Sequence, residues 1–361
     1  MARTAITPSE HFTSYQPSPL QQRHAAAAAK GAYPPVPKVC VVTGGSGCVG
    51  QRLVEMLVER GAERVVSLDI APKPPGAWDD KRIEYVLGDL RDPAAVAEAC
   101  KGAGCVWHNG AAVGPYHPEE LYDAVNHIGS VNVVEACRKH GVPKIVMSSS
   151  PSTRFDGSDV DGLTEAEMPP LPQKSYLQAY AASKADGELK VRGASCDALL
   201  TCAVAPHQVY GPRDNLFLPN LLEVAGKVRF FSSRRPPAQP PPPLTLISLS
   251  QGSLRVFGNG KNRICFSHVD NYCHGLIIAE HALKKGAACC GKFYIVTDGD
   301  THAHKEGYCN FWETLDAAVV GCGFPSVTAK FHLPWLLMMA LAYVKRTLLL
   351  LLLLLLLYYS H

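Results

Sequence analysis

The stretch KVCVVTGGSGCVGQRLVEMLVERG, residues 38–61, contains three local signals in the order that one fold requires. It begins with an apolar run typical of a buried strand and ends with apolar residues three and four apart, which predict an amphipathic helix. Three glycines, Gly44, Gly47 and Gly50, lie between them. Glycines at such a turn let the backbone approach a pyrophosphate at the positive N-terminus of the helix. The stretch therefore predicts the first unit of a dinucleotide-binding domain.

Beyond this stretch, apolar runs of strand length alternate with helical segments up to residue 150. The predicted strands are RVVSLDI, IEYVLGDL, CVWHNGA and KIVMSSS, and the predicted helices are DPAAVAEACKG and ELYDAVNHIGSVNVVEACRKHG. Strands separated by helices of this length form right-handed βαβ units in a parallel sheet. We therefore predict an α/β fold: a Rossmann-type doubly wound parallel sheet with a smaller C-terminal substrate-binding region and a hydrophobic C-terminal segment.

The composition divides the rest of the chain into regions. Residues 1–37, rich in Ala, Pro, Ser and Gln, are predicted to be a disordered leader. A transit peptide is the alternative, because Glu10 is the only acidic residue there. We predict a nucleotide-binding domain with the catalytic residues over 38–215 and a substrate-binding region with the remaining sheet elements over 216–330. Within the latter, residues 232–252 carry a proline cluster that neither helix nor sheet accommodates, so we expect a disordered insertion. It is either a surface insertion or extra sequence left by an unspliced or mistranslated stretch, and we favour the second.

Residues 331–361 form a hydrophobic tail in which two apolar runs flank Lys345 and Arg346, and ten leucines occupy 348–357. A spanning helix needs about 20 apolar residues, and a charge at mid-bilayer costs roughly 2.5–3.5 kcal/mol. The pattern favours a re-entrant or interfacial membrane anchor over a straight span. A buried core helix is the alternative.

Charge and cysteine content argue against several classes of protein. The net charge of +3, without a long basic run, predicts no nucleic-acid partner. The 13 cysteines include no Cys-x-x-Cys pair, which favours reduced thiols over disulfides or a zinc site. His302 and His304 lie two residues apart in a predicted loop, where solvated side chains are the default reading. We predict no metal.

Two carboxylates lie at the ends of predicted strands. Asp69 ends the second strand, 19 residues after Gly50. A carboxylate there accepts hydrogen bonds from the adenosine ribose hydroxyls and repels a 2′-phosphate, which predicts NAD as the cofactor rather than NADP. Asp89 ends the third strand, where an adenine ring would lie, and a helix-capping role explains it equally well.

The candidate catalytic pair is Tyr180 and Lys184, which lie one helical turn apart in SYLQAYAASKADGE, residues 175–188. A surface pair on one helical face is the plain alternative. A tyrosine with its usual pKa of about 10 needs a nearby cation to act as a base near neutrality, and Lys184 supplies one. Ser150 ends the fifth strand, at the edge where doubly wound sheets bind ligands. We predict Tyr180 as the base, Lys184 as its partner and a ribose contact, and Ser150 as the group that orients the hydroxyl being oxidised.

Together, TGGSGCVG, GDLRD, VNHIGSVNVVEAC, SSS, YAASK and YGPRD resemble the extended short-chain dehydrogenase/reductases over about residues 39–297. Within them, FDGSDVDGLTE, YAASKADGE and FSHVDNYCHGLIIA resemble the 3β-hydroxysteroid dehydrogenase branch, which includes decarboxylating sterol-4α-carboxylate dehydrogenases. The resemblance implies Asn126 as a support of a proton relay or of the active-site backbone. For Asn126 taken alone, a hydrogen bond between two helices is the simplest explanation. Further residues implied as cofactor contacts are Asp89 and Leu90 at the adenine and Pro206 and Val209 near the nicotinamide.

The same resemblance implies an NAD-dependent oxidoreductase of sterol biosynthesis that oxidises the 3β-hydroxyl of a sterol or steroid, with decarboxylation of a 4α-carboxysterol. It also implies association of the tail with the endoplasmic reticulum membrane, with the catalytic domain facing the cytosol, and leaves a homodimer open. The chain departs from the family pattern at Asn109, Gly110 and Ala205, and residues 232–252 interrupt its substrate region. The resemblance also implies a longer C-terminus, so we expect that this chain is shortened there. The alternative functions are a nucleotide-sugar epimerase or dehydratase of the same superfamily and an inactive NAD-binding, membrane-associated scaffold.

Overall fold

The computed structural model describes residues 19–114, 117–226, 254–299, 308–334, 336–337, 339–340 and 343. The chain divides into two compact units. The first comprises Met1–Arg213 and Phe266–Asp298, and the second comprises Asp214–Cys265 and Gly299–His361.

The strands in the described part of the chain are β1 (Val39–Thr43), β2 (Arg64–Asp69), β3 (Ile83–Leu87), β4 (Cys105–His108), β5 (Lys144–Ser148), β6 (Leu200–Pro206), β7 (Gln208–Tyr210), β8 (Arg263–Ile264), β9 (Phe266–His268), β10 (Phe293–Val296) and β11 (Cys309–Asn310). The helices there are α1 (Pro19–Ala29), α2 (Cys48–Glu59), α3 (Pro93–Ala99), α4 (Glu119–Tyr122), a π-helix (Asp123–Ile128), α5 (Gly129–His140), a 3-10 turn (Pro151–Arg154), α6 (Ala179–Gly193), α7 (Leu218–Gly226), α8 (Val269–Ala282) and α9 (Phe311–Gly321).

A seven-stranded sheet forms the centre of the first unit, in the order β10-β6-β5-β4-β1-β2-β3. Every neighbouring pair in it is parallel. The strand order reverses between β1 and β4, and ligands of doubly wound sheets bind at such a switch point, outside the carboxyl ends of the strands. The predicted Rossmann-type parallel sheet is confirmed.

Both faces of this sheet are covered, because its central strands are apolar on both sides. Val42 faces a cluster that includes Leu57 of α2, whereas its neighbour Val41 faces a cluster that includes Val133 of α5. Successive side chains of β1 thus enter two separate cores. This arrangement explains why the predicted strands are nearly continuous apolar runs.

The second unit, taken by itself, has a small core of its own. Its strands β8 and β11 pair antiparallel. The core residues are Ala225, Val256, Trp312, Leu315, Val319 and Val327. Helix α8 and strand β10, which lie within the predicted region 216–330, belong to the first unit, because β10 pairs with β6.

One part of the predicted disordered leader differs in the structure: residues 19–29 form α1. Alanine has the highest helix propensity, so the alanines at 25–29 favour a helix even without an apolar period. Tyr33, just beyond α1, fixes the segment. The Arg60 guanidinium carbon lies 4.3 Å from the centre of the Tyr33 ring, and the Tyr33 hydroxyl lies 2.9 Å from His24 Nδ1.

Several predictions concern residues outside the described ranges. They are the insertion at 232–252, most of the tail at 331–361, and His302 and His304. Within the described part, no helix has the length and apolar character needed to cross a membrane. The same residues contain no group of three or more His, Cys, Asp or Glu side chains that could hold a metal ion.

Candidate active site

The glycine turn connects β1 to α2 at the carboxyl edge of the sheet. Gly44 has φ +68°, and a Cβ there would lie 2.6 Å from Gly110 Cα. A Cβ on Gly50 would lie 2.0 Å from the Gly44 carbonyl oxygen. The turn itself therefore requires these two glycines. Gly45, which the sequence analysis does not single out, is equally confined, since its Cβ would lie 2.1 Å from Ser67 Oγ.

Gly47 differs from the other glycines of the turn. A Cβ at this position would meet only the Gly44 carbonyl oxygen, at 3.4 Å, so the backbone alone does not forbid a side chain there. Gly47 is also the N-cap of α2, where backbone N–H groups and the helix dipole favour an anion. A close approach of a ligand phosphate explains a glycine at this position. The turn therefore fits a dinucleotide.

Asp69 lies at the end of β2, beside this turn. Its Oδ2 accepts a hydrogen bond from the Ser46 backbone at 2.9 Å, and its Oδ1 accepts one from the Ala71 backbone at 2.9 Å. A carboxylate offers about four acceptor sites, so the oxygens can still bind the two ribose hydroxyls. The side chains of Ile70 and Leu87, next to Asp69, are exposed although most of β2 is buried. These features fit the predicted ribose site.

Asp89 and Leu90 follow β3 and have different environments. The Asp89 carboxylate accepts hydrogen bonds from the Arg91 guanidinium at 2.6 and 2.9 Å, and this contact lowers the pKa of Asp89. Leu90 is buried, and its atoms lie 2.9 Å from the positions that a Cβ would take on Gly110 and on Gly129. Leu90 is therefore a core residue. The adenine contact of either residue stays a prediction.

The three serines after Met147 do not form a solvated turn, because the first two bind different helices. The Ser148 hydroxyl lies 2.6 Å from the Tyr272 hydroxyl of α8. The Ser149 hydroxyl donates to Glu188 of α6 at 2.6 Å. The Ser150 Oγ instead lies 2.8 Å from Ser152 Oγ and caps the 3-10 turn, and Ser150 remains the serine predicted to meet the substrate.

Ser150, Tyr180 and Lys184 come together as the sequence suggests, although their catalytic roles stay predictions. The Ser150 side chain lies near enough to the Tyr180 phenol to lower its pKa. Lys184, one turn along α6, donates from Nζ to the Ser148 carbonyl at 2.8 Å. Because β1 and β5 are parallel strands of one sheet, this group and Gly44 lie at the same carboxyl edge.

Burial shifts the pKa of both Tyr180 and Lys184. Burial lowers the pKa of Lys184 to about 8, while the Glu188 carboxylate raises it. Lys184 is therefore still mainly a cation at neutral pH. Burial raises the pKa of Tyr180 above its ordinary value, and the Ser150 side chain opposes this rise. A base near neutral pH needs a cation close to the phenol, and this role of Lys184 stays a prediction.

Asn126 lies in the π-helix, which divides the single long helix predicted over this region. Its side chain accepts from the Ala112 backbone at 2.8 Å and donates to the Ala112 carbonyl and to Ser183 Oγ, both at 3.1 Å. Ser183 Oγ donates to the Tyr180 carbonyl at 3.0 Å. Asn126 therefore connects the loop after β4 with the turn that carries Tyr180. These are the contacts of a support for the active-site backbone.

A buried chain of hydrogen bonds links this helix with the glycine turn. Ser130 Oγ donates to the Asn126 carbonyl at 2.6 Å and lies 2.9 Å from His108 Nε2, so Nε2 carries the proton. His108 Nδ1 then accepts from Thr43 Oγ1 at 2.9 Å, and Thr43 Oγ1 accepts from the Gly110 backbone at 3.0 Å. Burial, together with the Lys184 cation, lowers the pKa of His108 to about 3, so it is neutral. The sequence analysis missed this role of His108.

Tyr122 is a second residue that the sequence does not reveal. Its ring centre lies 5.9 Å from that of Tyr180, edge to face, and its hydroxyl donates to the Gly114 carbonyl. Tyr122 is buried, so it restricts the Tyr180 ring. Pro206 ends β6, and Val209 lies in β7, paired with Ser267 of β9. The nicotinamide contacts of Pro206 and Val209 stay predictions.

Comparison with known proteins gives one family match. The model described as "3-beta hydroxysteroid dehydrogenase/isomerase family" matches residues 41–233, which are 193 of the 361 residues. Among solved structures, epimerase Mth375 of Methanothermobacter thermautotrophicus matches with a TM-score of 0.65 and 21% identity, covering 88% of this chain and 84% of that one. At this identity the likeness shows the fold alone.

Three relatives are more similar in sequence. The chain is 33% identical over 326 residues to 3beta-hydroxysteroid-dehydrogenase/decarboxylase isoform 1 of Arabidopsis thaliana, covering 84% of this chain and 65% of that protein. It is 34% identical over 267 residues to 2-alkyl-3-oxoalkanoate reductase of Stenotrophomonas maltophilia, covering 74% and 72%. It is 32% identical over 316 residues to sterol-4-alpha-carboxylate 3-dehydrogenase, decarboxylating, of Mus musculus, covering 85% and 74%.

Proposed function

The chain belongs to the 3-beta hydroxysteroid dehydrogenase/isomerase family, and from this premise we propose that it oxidises the 3β-hydroxyl of a 4α-carboxysterol in sterol biosynthesis. As a member of this family it is an NAD-dependent oxidoreductase that acts on a CH–OH group. The observation that carries the proposal is the placement of Ser150, Tyr180 and Lys184 together, at the same sheet edge as the glycine turn.

The names of two relatives support the choice of substrate, because they describe the same reacting unit. A sterol-4α-carboxylate carries its carboxylate on the carbon next to the oxidised C3, and a 2-alkyl-3-oxoalkanoate carries its carboxylate on an alkylated carbon next to the carbonyl. We infer that the substrate is an α-alkyl-β-hydroxy acid. A 4α-carboxysterol is the sterol form of this unit.

The glycine turn and Asp69 would hold NAD, which, when bound, accepts the hydride from the hydroxyl-bearing carbon. Ser150 orients the substrate hydroxyl, and Tyr180 removes its proton as the C–H bond breaks. Lys184 stabilises the Tyr180 phenolate by its charge. Exposed apolar side chains at Ile70 and Leu87 offer a surface for the adenine ring.

Loss of CO₂ then follows from the chemistry of the product. Oxidation produces a ketone β to the carboxylate. The bond to the carboxylate carbon breaks, its electron pair enters the ketone as an enolate, and CO₂ leaves. A proton from solvent converts the enolate to the 3-keto sterol. The residues of the chain need only complete the first, oxidative step.

The test is NADH formation with a 4α-carboxy-3β-hydroxy sterol, measured together with CO₂ release. Tyr180→Phe should abolish both, because the ring remains and the proton acceptor is lost. Tyr294→Phe, on the partly exposed edge strand β10, is the matched control and should retain activity. Turnover of only those sterols that lack the carboxylate would mean that the substrate differs from the one proposed, while the class of reaction stays the same.

Two other outcomes would favour the alternative functions. Epimerisation or dehydration of a nucleotide sugar, with NAD retained through turnover, would identify the epimerase or dehydratase alternative. NAD binding without turnover of any of these substrates would favour the inactive scaffold.

Membrane association at the endoplasmic reticulum, with the catalytic domain facing the cytosol, is a separate part of the proposal. It rests on the apolar sequence of residues 331–361. Flotation of the full chain with phospholipid vesicles, compared with a chain that lacks 331–361, tests it. Equal flotation of both chains would contradict it.

A further inference from the structure

We propose that Glu188 is a positioning residue of the active site, which fixes Ser150 against Tyr180 by binding Ser149 and Arg154 on either side of Ser150. The proposal rests on the oxidoreductase function proposed above and deepens it. Glu188 has no place in the predicted chemistry, and neither its carboxylate nor its partners touch the reacting atoms.

The Glu188 carboxylate is completely buried and fully used by protein donors. Its Oε2 accepts from Ser149 Oγ at 2.6 Å and from Arg154 Nη1 at 2.9 Å. Its Oε1 accepts from Arg154 Nη2 at 2.5 Å and from Arg192 Nη1 at 2.9 Å. A buried carboxylate needs this compensation. Four hydrogen bonds leave it little capacity for a substrate, so it acts through its neighbours.

These contacts hold the segment around Ser150 at two points. Ser149 precedes Ser150, and Arg154 ends the 3-10 turn that Ser150 caps. Arg154 is itself fixed on its other side, because its guanidinium carbon lies 3.4 Å from the centre of the Phe293 ring. Glu188 lies on α6, the helix that carries Tyr180. One carboxylate thus sets the spacing between the two elements that must meet at the Ser150–Tyr180 contact.

The same carboxylate lies one helical turn beyond Lys184 and favours its charged form. The other titratable groups around Lys184 do not supply a negative charge in place of Glu188. His108 on β4 is neutral, burial raises the pKa of Tyr272 on α8, and Arg154 and Arg192 are themselves cations. Loss of the Glu188 charge should therefore lower the pKa of Lys184. Misplacement of Ser150 should raise the pKa of Tyr180, because the Ser150 side chain lowers it in the intact site.

Three variants separate position from charge. Glu188→Gln keeps the shape and removes the charge. Ser149→Ala removes only the hydrogen bond from Ser149, the residue before Ser150, to Glu188. It replaces Glu188→Gln in the measurements if that variant folds poorly. Glu135→Gln, at an exposed ion pair with Arg138, is the matched control.

The first measurement needs no substrate: titration of Tyr180 by tyrosinate absorption, as the difference between each variant and its Tyr180→Phe derivative. Glu188→Gln should raise the apparent pKa of Tyr180, Ser149→Ala should raise it less, and Glu135→Gln should leave it unchanged. Titration curves of Glu188→Gln and Ser149→Ala that match the parent protein would overturn the proposal.

The second measurement is turnover with the best substrate found. Misplacement of a reacting group by about 1 Å can cost about 100-fold, so we expect both active-site variants to lose about 10-fold to 100-fold in kcat. The KM for NAD should change little. The alkaline limb of the pH profile should move to lower pH in Glu188→Gln only. If the parent protein turns nothing over, the proposed function fails, while the tyrosinate titration still decides the role of Glu188.

Discussion

Asn126 Nδ2 donates a hydrogen bond of 3.1 Å to Ser183 Oγ, which ties the π-helix to the turn of α6 that carries Tyr180. A π-helix is rare and often marks a functional site. Gly187 allows this close approach, since a Cβ there would lie 2.2 Å from the Asn126 carbonyl oxygen. Tyr180 is thus positioned by a backbone distortion on a neighbouring helix as well as by its own helix.

Asn126→Ala should weaken both stability and turnover. It leaves the Ala112 backbone without its partners, and an unsatisfied buried polar group costs about 1–3 kcal/mol. We expect a lower free energy of unfolding and a reduced kcat, because Tyr180 loses its support. Asn132→Ala, which removes a single hydrogen bond to the Leu90 carbonyl, is the control. Equal kcat losses in the two variants would contradict a specific role for Asn126.

We expect alanine substitutions at two glycines of the turn to affect different properties, stability in one case and NAD affinity in the other. Gly50→Ala places a Cβ 2.0 Å from a backbone oxygen, and such overpacking costs about 1–3 kcal/mol or more. Gly47→Ala makes one contact of 3.4 Å, so its free energy of unfolding should change by less than about 1 kcal/mol. Its affinity for NAD should nevertheless fall, because the methyl group occupies the space for the phosphates.

Unfolding by denaturant and NAD titration of the folded proteins distinguish these effects. Full NAD affinity in Gly47→Ala would mean that the phosphates do not approach this residue.

The sheet and the glycine turn were predictable because each is encoded locally. The apolar periods of residues 38–61 specify a strand and a helix, and two of the glycines between them, Gly44 and Gly50, are required by their own turn. The same holds for Tyr180 and Lys184, which any helix places one turn apart. The fold and the placement of Tyr180 and Lys184 on one helix therefore needed little knowledge of tertiary contacts.

The supports of the site were not predictable, because they join residues that are far apart in the chain. Ser149 and Glu188 are 39 residues apart, and Ser148 and Tyr272 are 124 apart. The π-helix preserves the apolar pattern of an ordinary helix, so no sequence period reveals it. Helix α1 was missed for a related reason, since its alanines have no apolar face to detect.

Asp69→Ser should reduce the preference for NAD over NADP. The carboxylate accepts from the ribose hydroxyls and repels a 2′-phosphate, and a serine does neither. A hydrogen bond to a charged group contributes about 1.5–3 kcal/mol, which corresponds to about 10-fold to 100-fold in the Kd of NAD. Binding of both cofactors to Asp69→Ser and to the exposed control Asp79→Asn measures the effect. An unchanged ratio of the two Kd values would place the ribose elsewhere.

Lys184 should make the protein less stable at neutral pH than it is at alkaline pH. Its pKa is about 8 in the folded protein and near its ordinary value of 10.5 in the unfolded chain. Between these values the unfolded chain binds more protons, so the free energy of unfolding rises with pH there. Below about pH 8 both states are protonated and the full cost of the buried cation is present.

Lys184→Met removes this titration, although it also leaves the Ser148 carbonyl without its donor. Loss of the buried cation should stabilise the variant, whereas loss of the donor to the Ser148 carbonyl should destabilise it. The pH dependence of its stability reports only the first effect. The free energy of unfolding of Lys184→Met minus that of the parent protein should decrease as the pH rises from about 8 to about 10.5, at about 1.4 kcal/mol per unit at most. Denaturant unfolding of both proteins at a series of pH values measures it. A difference that does not change with pH would mean that Lys184 is as easily protonated in the folded protein as in water, which would contradict a pKa lowered by burial.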